Sequence, residues 1–430
     1  MRNLLQTLAL TLLVVFLAST IGCRPKPHKA PNEIDETNKS TTEGTSDAVA
    51  IAKAVEKKEY KMAVTEKVFG EMEDGTKVKQ FDLTNKNGVK VSLITYGARI
   101  ISLETPDKDN KLANIVLFRD GLEGFLANEC YFNCIVGRYG NRIADGKFSI
   151  GDETYTLAKN NNDVAHLHGG DVGFDKKVWN AVALDNLAGQ VGVEFACLSD
   201  DGEEGYPGLL ITKVKYLLND DNELLISYEA EVLGKPTVLN LTNHAYWNLT
   251  GSGENTILDH ILTLHADGYL PVDVNLIPLG KVALVKDTAM SFLEPQKIGK
   301  RIDELKIDIE NNSFENGGYD HCYVLKEDAA KIEFAGLTEE LKLTAEVLEP
   351  TTGRTLKVYT DQPAVQFYSG NFLDGEAEYG GGVKYKQHTG FCLETQKYPD
   401  SPNQKDFPST LLNPGETYTH NTLLKFGVEK

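Results

Sequence analysis

From residue 62 onward, short runs of apolar and β-branched residues alternate with turn residues, and this texture holds to the C terminus. VKVSLITYGARIISLETPD (residues 89–107) has strand composition and ends at Pro-Asp. KVKYLLNDDNELLISYEAEV (213–232) sets two apolar runs around Asn-Asp-Asp-Asn, the pattern of a β-hairpin. LKLTAEVLEPTTGRTLKVYT (341–360) repeats it around Glu-Pro-Thr-Thr-Gly, and AVQFYSGNFL (364–373) follows as another strand. No 3.6-residue apolar period is sustained here. Strands at this spacing without intervening helices predict an antiparallel sandwich over βαβ units. With no break in composition, the expectation is all-β: one very large antiparallel β-sandwich over 62–430.

The N terminus reads differently. Arg2 precedes an apolar stretch over residues 8–17, too short to span a bilayer alone. It runs into Thr20-Ile21-Gly22-Cys23, which resembles a bacterial lipoprotein signal box, although Thr20 stands where Leu is usual. Residues 1–22 are therefore expected to be a lipoprotein-type signal peptide, and Cys23 the lipidated residue. Several acyl chains on one cysteine would anchor the protein stably. Residues 23–61, rich in Pro, Ser, Thr, Asn and charge, read as a tether with a short helical stretch near its end. About 35 disordered residues reach roughly 30–35 Å. The implied location is an exported, membrane-anchored protein on the periplasmic side or surface of a bacterium.

The net charge of −19 argues against nucleic acid or an anionic membrane face as partner. Of six cysteines, five lie beyond Cys23, an odd number with no CxxC, which reads as buried thiols and not a disulfide framework or zinc site. No HExxH occurs, and His166-Leu167-His168 has no carboxylate or Cys close by. No metal is expected. Phosphate loops, dinucleotide fingerprints and GxSxG elbows are also absent.

What remains is a set of polar residues in apolar or glycine-rich settings. Arg138 and Arg142 sit in GRYGNRI, where surface positions are the plain alternative. His168 precedes two glycines. The acidic loop DDGEEGYPG (200–208) lacks EF-hand spacing and reads as a solvated turn. His244 stands in TNHAYWNL without metal-ligand company, and Asp320 at a strand edge in GGYDHC. Glu394 is placed inside the strand-like run FCLETQ, where a carboxylate either faces out or has a raised pKa and a task.

GRYGNRIADGKFSI, NNNDVAHLHGGDVGFDKKVW, SDDGEEGYPG, LNLTNHAYWNL, YLPVDVNLIPLG, GGYDHCY, QFYSGNFLDG, HTGFCLETQKYPD and LNPGETY occur in this order. Together they resemble the galactose mutarotase (aldose 1-epimerase) family from about residue 62 to 428. The resemblance implies that family's large β-sandwich and an isomerase that interconverts the α and β anomers of D-galactose, D-glucose or a similar free aldose, with no cofactor. It implies Glu394 as base, His244 as acid and His168 as assistant, with Arg142, Asp320, Asn141 and Gln366 holding sugar hydroxyls. His166 and Trp247 depart from the family pattern and are expected to alter the pocket's shape, with Trp247 able to stack on a sugar.

The chemistry suits these residue types. Ring opening removes a proton from the C1 hydroxyl while one reaches the ring oxygen, so acid and base must flank one carbon. Partial burial is expected to raise Glu394, and a neighbouring carboxylate to favour imidazolium at His244. Other readings are a non-catalytic exported sugar-binding protein, an epimerase for another aldose or for phosphorylated hexoses, and a glycosidase using Asp320 and Glu394.

Overall fold

Strand Leu209–Asn219 buries every second side chain, Leu210, Thr212, Val214, Tyr216 and Leu218, as a strand with one face on a core must. It turns at residues 219–222, where the Asn219 side chain accepts the backbone N–H groups of Asp221 and Glu223 and Asn222 adopts a positive φ of 60°. Strand Glu223–Leu233 then returns antiparallel, with Tyr216 opposite Ile226. This hairpin belongs to a ten-stranded sheet in the computed structural model, which describes residues 59–127, 130–251, 253–306, 317–332, 334, 340–375 and 380–430.

Lys58–Lys430 forms one compact unit. The expected signal peptide, Cys23 and nearly all of the expected tether lie outside the described residues. Three antiparallel sheets dominate. A five-stranded sheet runs from Ala63–Glu71 to Leu112–Asn114 in sequence order. The ten-stranded sheet places Thr417–Val428 between Glu223–Leu233 and Arg354–Thr360, so the last strand closes its centre. A second five-stranded sheet runs in order Ala283–Leu284, Ala266–Tyr269, Asp320–Leu325, Ala364–Tyr368, Cys392–Gln396. Phe81 and Leu93, Phe195 and Ile226, and Phe367 and Leu393, drawn from the three sheets, share one continuous core. The β-sandwich expectation therefore holds; among the described residues the helices are one short α-helix, Gly121–Leu126, and brief 3-10 turns.

The plain alternative of surface arginines does not hold: Arg138 and Arg142 are both buried. The Arg138 guanidinium donates to the carbonyls of Ser199, Asp200 and Pro207 and to the Ser199 hydroxyl, sewing the GRYGNRI turn to the acidic loop. Burial presses its pKa down to about 10, which leaves it charged at neutral pH. Removing it strands several buried carbonyls, each costly without a donor. Arg138→Met should lower unfolding stability by roughly 3 kcal/mol or more. A denaturant midpoint indistinguishable from wild type would contradict this account.

Candidate active site

Seven chain segments converge on one pocket. Segment 131–136 runs antiparallel to 242–246: Val136 pairs with Thr242, Ile135 with Asn243, Asn133 N–H donates to His244 O, and His244 N–H donates to Cys134 O. The Asn133 carboxamide adds a bond from Tyr246 N–H, and buried Arg99 holds the Phe132 carbonyl at 2.6 Å. His244 is thus fixed from both sides. Arg142 opens strand Arg142–Ala144, opposite Leu167, and its Nε donates to Asn161 Oδ1 at 2.9 Å. Asp400, itself buried, donates its N–H to the Arg142 carbonyl and accepts that of Ala144.

His168 depends on the two glycines after it. A Cβ on Gly169 would stand 1.9 Å from Gly137 O, and one on Gly170 2.1 Å from the Glu204 carboxylate, both at strongly positive φ. Glu204 accepts the N–H groups of Asp171 and Val172 at 3.0 and 2.9 Å, while Lys177 holds Glu203. The acidic loop is therefore a brace for the His168 turn, not a merely solvated one. His168 itself has φ 50°, Asn141 φ 62° and Tyr131 φ 55°. Three non-glycine residues in the left-handed region around one pocket mark stored strain that the surroundings hold in place.

The remaining groups come from the second five-stranded sheet. Asp320 lies opposite Tyr368, Gln366 opposite both Cys322 and Glu394, and Tyr368 opposite Cys392. Two-residue alternation puts these side chains on one face, while Tyr323, Val365, Phe367 and Leu393 enter the main core from the other.

The pocket, about 150 Å³, is lined by Tyr131, Asn141, Arg142, His168, His244, Tyr246, Asp320, Tyr368, Phe372 and Glu394, with Cys130 and Leu167. His244 Nε2 stands 3.6 Å from Glu394 Oε1. Glu394 Oε2 is buried with no hydrogen-bond partner in the protein, an arrangement that calls for a ligand or a chemical role. Burial, and then the nearby Asp320 charge, push the Glu394 carboxyl well above the usual range, against the pull of Arg142. Burial presses His244 down to about 4 and His168 well below the ordinary imidazole value. His168 Nδ1 faces the Asn141 N–H at 3.2 Å, so that nitrogen accepts and the neutral ring carries its proton on Nε2.

The expected imidazolium at His244 is thus corrected for the unliganded pocket. The histidine's own burial, which disfavours the charged ring, outweighs any help from the neighbouring carboxyl, whose pKa burial raises in turn. Gln366 stands on the neighbouring strand opposite Glu394, and its Nε2 donates to Asp320 Oδ1 at 2.6 Å, aiming that carboxylate. Trp247 belongs to the main core, packed on Phe426, and cannot stack on a ligand. His166 lies behind the pocket, fully buried between the Ala158 carbonyl at 2.8 Å and the Tyr206 hydroxyl at 2.7 Å. Tyr131, Tyr246, Tyr368 and Phe372 were not anticipated. Tyr246 was accessible, since it lies two residues from His244 in extended chain.

Ligand atoms of His168, His244 and Glu394 lie within 4.8 Å of one another, a donor set large enough for a divalent cation although no local spacing announces it. The buried Arg142 guanidinium beside Glu394 and Asp320 opposes a further positive charge there.

Glu394 also has a stability signature. Its folded pKa is raised, so the native state bears no penalty below the unfolded value of about 4.3, where both states are protonated. Above that, only the unfolded chain ionises freely, and the native state loses ground. Glu394→Gln should melt higher than wild type at pH 7, with the difference closing near pH 4. An unchanged or lower melting temperature at pH 7 would count against a desolvated Glu394.

A family model described as Aldose 1-epimerase matches residues 79–425. Galactose mutarotase from Bos taurus is 43% identical over 368 residues, covering 85% of this chain and 99% of that protein. Aldose 1-epimerase from Escherichia coli K12 is 36% identical over 364 residues, covering 83% and 97%. Among solved structures, galactose 1-epimerase from Lactobacillus acidophilus aligns with TM-score 0.71 at 26% identity, covering 86% of this chain and all of that one. An aldose epimerase homologue from C. elegans aligns with TM-score 0.69 at 28% identity, covering 81% and 98%. On this match in sequence and fold, the chain belongs to the aldose 1-epimerase family of isomerases.

Proposed function

We propose that this aldose 1-epimerase interconverts the α and β anomers of D-galactose, D-glucose or a similar free aldose through Glu394 and His244. The facing of these two buried groups at 3.6 Å carries the reading. Together they hold one mobile proton. With it on His244, ionised Glu394 removes the O1 proton as His244 Nε2 protonates the ring oxygen, and the C1–O5 bond breaks. The ring opens to an aldehyde, leaving neutral His244 and protonated Glu394. After rotation about C1–C2, His244 takes the proton back as O5 attacks the other face, and Glu394 returns its own to O1.

Burial favours the neutral pair, which is the state needed beside the open-chain sugar. Arg142 favours ionised Glu394, the state needed beside the ring. These opposed influences narrow the gap between the two states, as a reversible proton relay requires. His168 donates through Nε2–H, and Arg142, Asn141 and Asp320 supply hydroxyl contacts. D-galactose is favoured by the naming and the 43% identity of the mutarotase relative. No bond is oxidised or reduced and both protons are carried by these two side chains, so the relay as proposed uses neither cofactor nor metal.

The test is polarimetry on fresh α-D-galactose and α-D-glucose with chelator-treated protein. Glu394→Gln and His244→Asn should each lose about 10²–10⁴-fold in kcat. In wild type, activity should fall as pH drops through about 4, where His244 takes a second proton and the pair has no base left. Activity lost on chelation, or kept in Glu394→Gln, would defeat the proposal.

We also propose export with a lipid anchor on Cys23, supported by Arg2, the apolar stretch over 8–17 and the Thr-Ile-Gly-Cys box. Protein expressed in a bacterium should partition into the detergent phase on cloud-point separation, and Cys23→Ser into the aqueous phase. Equal partitioning of the two would refute the anchor.

A further inference from the structure

The acid–base relay uses one nitrogen of His244. The other also has company: Nδ1 lies 3.5 Å from the Cys392 sulfur, and the ring meets its own backbone as well. Both groups are buried, and Cys392 stands two residues before Glu394 on the strand Cys392–Gln396, so thiol and carboxyl share a face. The rings of Tyr131 and Tyr246 stack on the imidazole at 6.0 and 5.1 Å, at 28° and 29° between planes. Stacking fixes the plane of the ring but not its orientation within that plane. A half-turn about Cβ–Cγ would set Cδ2 against Cys392 and Cε1 against Glu394. The contacts at the two ring nitrogens therefore decide whether Nε2 meets the substrate.

We propose that Cys392 is a positioning residue for the reaction: its sulfur accepts a hydrogen bond from His244 Nδ1–H and so leaves Nε2 as the only nitrogen that exchanges a proton. The proton count requires such a partner. When Nε2 delivers its proton to the ring oxygen, the neutral imidazole must keep its remaining proton on Nδ1. Otherwise the Nε2 lone pair is not available to take the proton back. Throughout the cycle the Nδ1 proton stays on Nδ1, and no bond to sulfur forms or breaks.

A thiol suits this task in a way that an oxygen anion does not. Sulfur is a weak acceptor, so it selects the tautomer while adding little stability to the imidazolium. A carboxylate in the same place would make His244 more basic and a poorer acid. The groups facing Cys392 are Glu394, Asp320, Cys134 and Cys130, and those facing His244 include His168, Glu394 and Arg99. Burial and the two carboxyls keep the Cys392 thiol protonated, so the acceptor is a neutral sulfur and not a thiolate that would trap the imidazolium.

This inference rests on the proposed role of His244, and the experiment separates the two. Cys392→Ala, Cys392→Val and Cys392→Ser are made in the full chain. Ala and Val should each lower kcat about tenfold with KM within about twofold, the scale of one lost neutral hydrogen bond on a reacting group. Ser, which keeps an acceptor, should restore turnover. Nitrogen-15 spectra of histidine-labelled protein should show His244 as the Nδ1–H tautomer in wild type and in Cys392→Ser, and as a mixture in Cys392→Val. Wild-type kcat in both Ala and Val, a Ser variant as impaired as Val, or an Nε2–H tautomer in wild type would overturn the proposal. The spectra report the hydrogen bond without reference to turnover. Full activity in His244→Asn would overturn the acid–base reading, and the tautomer result would still decide whether Cys392 orients the ring.

Discussion

The structure turns on one constraint: a carboxyl and an imidazole must face each other at 3.6 Å with both side chains almost wholly buried. Neither group is comfortable there. Burial raises one pKa and lowers the other, so it disfavours charge on both groups. A surface pair with the same residues would be screened and solvated, with each group near its ordinary value. Burial of both groups makes the location of the proton sensitive to what enters. Hydroxyls that donate to Glu394, with Arg142 beside it, supply the stabilisation that burial removes.

Much of the molecule serves to hold that pair. His244 is locked by backbone pairing with residues 131–136, and Glu394 by its place on a strand whose opposite face is core. His168 is held by a turn that only glycine can complete, braced by Glu204 and, one layer further out, by Arg138. The left-handed conformations of Tyr131, Asn141 and His168 gather where these supports meet. Strain of this kind persists only in surroundings that leave the chain no alternative. The buried arginines supply much of that rigidity by satisfying carbonyls that loops otherwise leave open.

The fold was legible because its signals are local. Apolar runs, the Asn-rich turn at 219–222 and the absence of a helical period each act within a few residues, and the sheets formed as patterned. Glu394, His244, His168, Arg142, Asn141 and Asp320 were found through ordered motifs and do meet in one pocket. What was missed depends on contacts between distant segments. Glu204 reads as solvated until the loop beside His168 supplies two N–H groups. Gln366 and Asp320 are 46 residues apart, and only the register of adjacent strands shows that one aims the other. The lowered pKa of His244 was hidden for the same reason, since its burial is set by how these segments pack.

Trp247 shows where closer attention to period would have sufficed. In extended chain, residues two apart share a face and adjacent residues do not. With His244 in the pocket, Tyr246 must follow it there and Trp247 must point away. The structure has Tyr246 stacked on His244 and Trp247 in the core against Phe426. The same rule on the other strand ties Cys392, Glu394 and Gln396 to one face, so a thiol two residues before the carboxyl was bound to lie near whatever that carboxyl meets. Once the TNH and FCLE segments are brought together, parity alone selects Tyr246 and Cys392 as the neighbours of the acid–base pair. The choice of a sulfur there, and not an oxygen, then follows from what the imidazole must do: hold one proton fixed on Nδ1 while remaining acidic enough at Nε2 to give the other away.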